Sequence, residues 1–255
     1  MYKIDYTDTH GMYWDFSKKL WNVAVAEAGI DGLVGTFTDA TVKSSRWGGQ
    51  LLVHQSVEPM KGSLTFVINA KHGKDVDDIY ARLRAAFHPS LYGELNISGD
   101  RYGSLSTLVR LDGAIAPPEV DTDKEKYVAK FKVPLISDKG MWYQEPFAQQ
   151  GVVRVSNSSP VPIHPSVTWS GEGRTLMLPS GWTVKLPATQ SQATVSLDPT
   201  SGYAVTRNGE VVPELTRELV KTVVPEPTPA GSTREYRCSD GVTLMWQIPT
   251  LDPWL

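Results

Sequence analysis

The chain has 255 residues, 40% of them hydrophobic and 21% charged, with a formal net charge of −3. That is the composition of one large or two ordinary folded domains rather than of a disordered segment. It offers no global basic field for nucleic acid or an anionic membrane, and its single cysteine, Cys238, excludes an intramolecular disulfide framework.

Cys238 lies in an apparent strand and reads as a partly buried structural thiol rather than a nucleophile. Residues 1–11 lack the apolar region of a signal peptide. No apolar run approaches the roughly 18 residues of a membrane span, so synthesis in the cytosol is expected. Eight Trp, ten Tyr, 18 Pro and 21 Gly, with many Val and Thr, point to a mainly β chain punctuated by turns.

In chain order, short strands are expected at 2–6, 20–26 and 33–37. Residues 39–50 carry paired serines and glycines and read as a mobile or inserted loop, within which Trp47 is equally a core anchor or an exposed contact. Two long strands follow, 51–57 and 62–70, joined by a hairpin connection at 58–61. In the second, Leu64, Phe66 and Ile68 alternate with Ser63, Thr65, Val67 and Asn69. A helix is predicted over 75–87, with Asp75 as N-cap and Val76, Ile79, Tyr80, Leu83 and Phe87 forming one apolar stripe. Strands at 93–98 and 104–115 then lead to a loop whose charges, at 121–126, are mixed in sign.

The rest of the chain is organised around residues 124–146. Tyr127, Ala129, Phe131, Val133 and Leu135 share one face of a strand with period two. The strand breaks at the turn cluster Ser137, Asp138, Lys139 and Gly140 and meets the pair Trp142 and Tyr143. This stretch closes an α+β first domain, 1–146, and opens a second, 147–255. The second reads as a β-sandwich or jelly roll, with strands at 152–157, 166–171, 175–180, 182–187, 193–198, 203–207 and 241–249. Asn208-Gly209 is a two-residue hairpin signal, and 213–223 is either a short helix or an irregular strand.

Chemistry-bearing constellations are sparse. His10, His54, His72, His88 and His164 occur singly, without metal-ligand spacing. Asp5, Asp15, Glu94, Asp112 and Asp198 are candidates for a glycosidase acid pair, yet each reads first as a cap, turn or surface residue. No catalytic residue, metal or cofactor is therefore expected. Trp142, Trp169, Trp182, Trp246 and Trp254 raise the separate possibility of stacking on sugar rings. Trp169 and Trp246 lie in alternating strands and belong to the core. Trp182, after the turn Pro179-Ser180-Gly181, is the candidate glycan-stacking residue.

Together these segments resemble the distal tail (Dit) or minor tail proteins of siphovirus-type, long-tailed bacteriophages, over nearly the whole chain. The first domain is similar in architecture: paired strands, one helix, and a strand at 127–136 that runs into an aromatic turn. Asp138, Trp142 and Tyr143 stand where the family places an Asp-Pro-aromatic-Trp-aromatic pattern, without its Asp-Pro. The second domain is similar in the order of its motifs: Pro162-Ile163-His164-Pro165-Ser166-Val167 after an opening strand, Leu197-Asp198-Pro199 with Gly202, Pro229-Ala230-Gly231-Ser232, and Asp252-Pro253-Trp254 at the end.

The resemblance implies a split β-barrel with one helix followed by a galectin-like β-sandwich. It implies a non-enzymatic homo-hexameric ring of the virion tail tip, made in the host cytoplasm. The ring would join the tail tube and tape measure protein to the baseplate hub or tail-associated lysin, carry receptor-binding proteins, and pass DNA without binding it specifically. Trp142 and Tyr143 would then be domain-interface residues, and the strands 51–70 with the loop 39–50 would make ring or tube contacts. The alternative is a lectin-like adhesion module that recognises host glycans through Trp182; a polysaccharide depolymerase is a third reading.

Overall fold

The computed structural model describes residues 2–17, 22–43, 48–69, 73–100, 103–116 and 127–254. The chain forms two compact units, one of residues 1–144 with 250–255 and the other of residues 145–249. The last six residues, expected in the second domain, therefore belong to the first unit. There the Gly35 N–H donates to the Leu251 carbonyl (2.8 Å), and the Tyr2 hydroxyl donates to the Trp254 carbonyl (3.0 Å).

The first unit contains β1 (Lys3–Thr7), β2 (Tyr13–Asp15), β3 (Asn22–Gly32), β4 (Phe37–Lys43), β5 (Gln50–Val57), β6 (Met60–Asn69) and α1 (Gly73–Ala86). It continues with β7 (Gly93–Gly99), β8 (Gly103–Leu111), β9 (Tyr127–Ser137) and β10 (Trp142–Gln144). An antiparallel sheet of order β2-β1-β7-β8-β9-β6-β3 curls into a half-barrel, with β10 beside β8. α1 packs on β3, β6 and β9. The period-two pattern dictates the inner face: Leu64, Phe66 and Ile68 of β6 and Phe131, Val133 and Leu135 of β9 are buried beneath Val76, Ile79, Tyr80 and Leu83 of α1.

α1 begins at Gly73, so Asp75 lies inside its first turn rather than capping it; a carboxylate there still favours the positive end of the helix dipole. Phe87, just past the end, stacks on Tyr6 (4.7 Å between ring centroids), while the Tyr6 hydroxyl donates to the Ala86 carbonyl (3.1 Å) and satisfies a helix-end acceptor.

Two expectations fail around residue 50. Of the described residues in 39–50, residues 39–43 and 50 are strand: β4 and β5 pair with each other, Phe37 opposite Val57 through Lys43 opposite Gln50. The expected hairpin of 51–57 with 62–70 does not form, because β6 lies between β3 and β9. β6 buries its apolar face in the core, whereas nearly every β5 side chain is exposed. Nor is 33–37 a strand before Phe37: Gly32 and Leu33, at φ +70° and +57°, turn the chain out of β3. Trp47, His72 and the charged loop 121–126 lie outside the described residues.

The second unit holds β11 (Phe147–Gln150), β12 (Val152–Ser156), β13 (Ser166–Gly171), β14 (Thr175–Met177), β15 (Thr183–Lys185) and β16 (Thr189–Ser196). β17 (Thr206–Arg207), β18 (Glu210–Val211), α2 (Pro213–Leu219), β19 (Thr233–Cys238) and β20 (Val242–Trp246) complete it. One sheet has the order β11-β20-β13-β16-β17-β18 and the other β12-β19-β14-β15. Val153, Val155, Val167, Trp169, Leu176, Val184, Val195, Tyr236 and Leu244 form one buried core with both sheets contributing. Asn208 and Gly209, at φ +52° and +83°, make the two-residue turn between β17 and β18 that their sequence signals. Residues 213–223 resolve as a short helix followed by irregular chain.

Gly140, at φ +67°, lies against the Glu58 carbonyl where a Cβ would collide. Gly103, at φ +68°, has open space around it. Gly103→Ala is expected to cost only the left-handed penalty of about 1–2 kcal/mol, and Gly140→Ala distinctly more. Denaturant unfolding of the two variants checks this; equal losses would contradict it.

Candidate functional site

The feature of the first unit least accounted for by its own core is the β4–β5 hairpin. It forms a separate two-stranded sheet that pairs with no other described strand. Its root is fixed by Phe37 opposite Val57 and by the Glu58 N–H donating to the Thr36 carbonyl (2.9 Å). Midway, Gln55 donates to Asp39 (2.9 Å), and a register shift follows Ala40. The distal half carries Val42, Leu51, Leu52 and Val53 at 58, 69, 51 and 62% exposure. An isolated hairpin is marginal in water, and clustered exposed aliphatics on it mark an interaction surface.

The hairpin springs from a close-packed junction inside the first unit. Leu33 is fully buried; its N–H donates to the Lys61 carbonyl (3.0 Å), and its own carbonyl accepts the Trp142 indole N–H (2.9 Å). Gly35 has no side chain because a Cβ there would meet the Gly140 carbonyl. Thr107 ties in the turn before β10, bonding the Ser137 hydroxyl (2.8 Å) and the Met141 carbonyl (2.9 Å), so its buried polar groups are satisfied.

Of the two residues expected at the domain interface, Trp142 is a core residue of the first unit. Tyr143 is half-buried, with the Lys139 ammonium 5.5 Å from its ring centroid. Outside the turn, Asp138 accepts two bonds from Arg110 (2.7 and 2.8 Å) and one from the Tyr92 hydroxyl (2.5 Å). Arg110 first, then Tyr92, holds the Asp138 carboxyl below the usual carboxylate range.

Trp182 projects from the β14–β15 turn of the second unit. It is half exposed, but its indole N–H is bonded to the Thr222 carbonyl (2.8 Å). Trp169 is buried, donating to the Pro187 carbonyl (2.8 Å), and Trp246 is buried against Phe147. Of the five candidate acids, Asp5 and Asp15 are cross-strand neighbours, each engaged by groups beside it, and the other three lie apart from them. Asp5 pairs with Lys3 (3.2 Å) and accepts from Asn96 (3.0 Å), and its cross-strand neighbour Asp15 accepts the Ser17 N–H (3.0 Å). Glu94 is exposed on β7, Asp112 pairs with Lys61 (3.1 Å), and Asp198 caps a short 3₁₀ turn. No group of His, Cys, Asp and Glu with metal-binding geometry occurs among the described residues. Burial pushes the Cys238 thiol up to about 11, which leaves it protonated and unreactive. No helix among the described residues is long and apolar enough to cross a membrane.

A curled half-barrel with one helix, continued by a two-sheet sandwich, is the fold of phage distal tail proteins, so the expected resemblance is matched in fold. The crystal structure of the Dit protein of phage SPP1, described as a paradigm of the hub adsorption apparatus of phages that infect Gram-positive hosts, matches with a TM-score of 0.65 at 11% identity, covering 98% of this chain and 99% of that one. A chain of the phage P2 baseplate in its activated conformation with calcium matches at 0.60 and 8% identity, and one from the strontium form at 0.58 and 9%; each covers 97% of this chain and 98% of its own. No family model matches the sequence, and no curated protein matches it.

Two outcomes are expected. Trp142→Ala should lower unfolding free energy by about 3–5 kcal/mol, and Trp142→Phe by less; an unchanged denaturation midpoint for Trp142→Ala would contradict the core assignment. For Asp138, whose folded-state pKa is depressed, the stabilisation is present above the unfolded value near about 4 and is lost as pH falls through the lowered folded value. The stability gap between the native protein and Asp138→Asn should thus be small, as the pair is part-exposed, and level near neutrality. It should close in acid; a gap that widens on acidification would contradict this.

Proposed function

We propose that this protein is a structural component of a phage tail tip, a distal tail protein that assembles as a hexameric ring. The observation that carries this reading is the match over both units, 98% of this chain on 99% of the SPP1 Dit protein. A single shared domain could be borrowed for many purposes; a shared order of curled sheet, helix and sandwich is a more specific inheritance. In the proposed assembly the first unit forms the ring. The tail tube and tape measure protein lie on one side and the baseplate hub or tail-associated lysin on the other. The second unit is a platform for receptor-binding proteins, and DNA passes through the channel without sequence-specific contact.

A closed ring requires one heterologous contact repeated by rotation. The β4–β5 hairpin supplies a surface suited to it, because its exposed Val42, Leu51, Leu52 and Val53 gain most from burial against a neighbouring copy. The role is mechanical, so the reading needs no acid pair, metal or cofactor.

The test joins particle assembly with oligomer measurement. Antibody raised to the purified chain should label the tail tip of the intact phage in electron micrographs. Leu51→Asp with Val53→Asp should weaken ring association at least about tenfold, the loss of one well-buried contact, while leaving the melting curve of the isolated chain unchanged. Label along the tail tube or on the head, or rings that form normally in the double variant, would overturn the assignment or the hairpin's part in it respectively.

A further inference from the structure

The motif Asp252-Pro253-Trp254 has no part in the sandwich core or in the β4–β5 hairpin. It belongs to a strap, residues 250–254, that follows the whole second unit in the chain yet packs within the first. Thr250 ends the two-residue strand β21 (Pro249–Thr250), which lies beside β10. Beyond it the strap is braced from within. The Asp252 carboxylate accepts the Trp254 N–H (2.8 Å), and the Thr250 hydroxyl donates to the Asp252 carbonyl (3.3 Å). Pro253 fixes one more dihedral, so little chain entropy is left to lose when the strap docks.

The strap holds the first unit at two places. Trp254 packs against the core, meets the Tyr2 ring edge to face (5.2 Å between centroids) and accepts the Tyr2 hydroxyl at its carbonyl (3.0 Å). Leu251 lies on the root of the β4–β5 hairpin. Its carbonyl takes the Gly35 N–H (2.8 Å), and a Cβ at Gly35 would come within 2.7 Å of its side chain. The next residue, Thr36, accepts the Glu58 N–H that closes the hairpin. The root's other neighbour is the Gly140 turn, whose carbonyl faces Gly35 and whose glycine abuts the Glu58 carbonyl. The hairpin pairs with no other described strand. Its base is therefore held by a turn that precedes the second unit in the chain and by a strap that follows it.

We infer that the strap is a lock on the hairpin root, and that it makes ring assembly wait until the second unit has been made; the latter half rests on the ring reading above. The argument is one of chain order. A two-stranded hairpin is marginal by itself, so its orientation depends on its base. Residues 145–249 precede the strap, and at roughly 5–20 residues per second their synthesis takes about 5–20 s. During that interval Gly35 lacks the acceptor that Leu251 provides. The exposed Val42, Leu51, Leu52 and Val53 are then carried on a loose base and present no single surface to a neighbour. Docking of the strap sets that surface.

Native-state hydrogen exchange in the full chain tests the lock. Trp254→Ala removes the strap's anchor, and Asp252→Ala removes its brace; Asp252→Asn keeps an acceptor for the Trp254 N–H. The Gly35 amide and the β4–β5 amides should exchange at least about tenfold faster in Trp254→Ala, the equivalent of one lost buried contact. Asp252→Ala should shift them in the same direction by less, and Asp252→Asn should stay near native. Amides of β13 and β16 in the second unit should keep their rates. The lock is overturned if the hairpin amides are unchanged in Trp254→Ala. It is equally overturned if the second-unit amides accelerate as much, since the strap would then be a general stabiliser. Sedimentation of the same variants tests the dependence of assembly on the strap: ring yield should fall in the order in which hairpin exchange rises. Rings at native yield in Trp254→Ala, with the hairpin loosened, overturn that half. If the native chain itself forms no rings, the ring reading fails, and the exchange rates still decide the lock.

Discussion

The hydrogen bond from the Trp142 indole to the Leu33 carbonyl (2.9 Å) is the contact on which the first unit's layout depends. Leu33 sits in a left-handed conformation that a bulky residue adopts only when its surroundings impose it. They do so from three sides: the Lys61 carbonyl takes its N–H, Trp142 takes its carbonyl, and the core encloses its side chain. That turn releases the chain from β3 and starts the hairpin at Phe37. β10, which carries Trp142, ends at Gln144, the last residue before the second unit. Leu251, where the chain has returned, accepts from Gly35. One packed junction thus anchors the hairpin's root, the exit of the chain and its return.

Such an anchor suits a protein whose proposed task is to hold others in register. A hairpin that reaches for a neighbour can be marginal by itself, provided its base does not move. The exposed aliphatics of β5 would be a liability on a monomer, and they become intelligible as half of an interface. The sandwich, by contrast, builds one continuous core and bonds buried polar groups locally, although His164 Nδ1 and Arg207 Nε find no partner among the described residues. Asn157, for example, donates to the Val161 and Thr228 carbonyls (2.8 and 2.9 Å) and accepts from Ser159.

Much of this was legible in the sequence wherever a side chain's face is decided locally. Period-two alternation marked β6, β9 and β13, the three-four stripe marked α1, and Asn208-Gly209 marked its turn. Pairing was not legible. Alternation states which face is buried but not which strand lies alongside, so β5 was assigned to β6 when it pairs with β4. β11 escaped because FAQQ shows no apolar alternation, as suits an exposed edge strand. Trp142 joins the first unit's core, and a tryptophan beside a turn gives no sign in the sequence of which core will take it. No residue type announces a left-handed leucine.

Native-state hydrogen exchange of the Trp142 indole N–H in the full chain tests the central claim most directly. If the Leu33–Trp142 contact anchors the first unit, that proton exchanges only through openings close in free energy to global unfolding, and far more slowly than the amides of the β4–β5 hairpin. Exchange of the indole proton at the hairpin's rate would show that the junction opens locally, and the account of how this fold holds its projecting arm would fail.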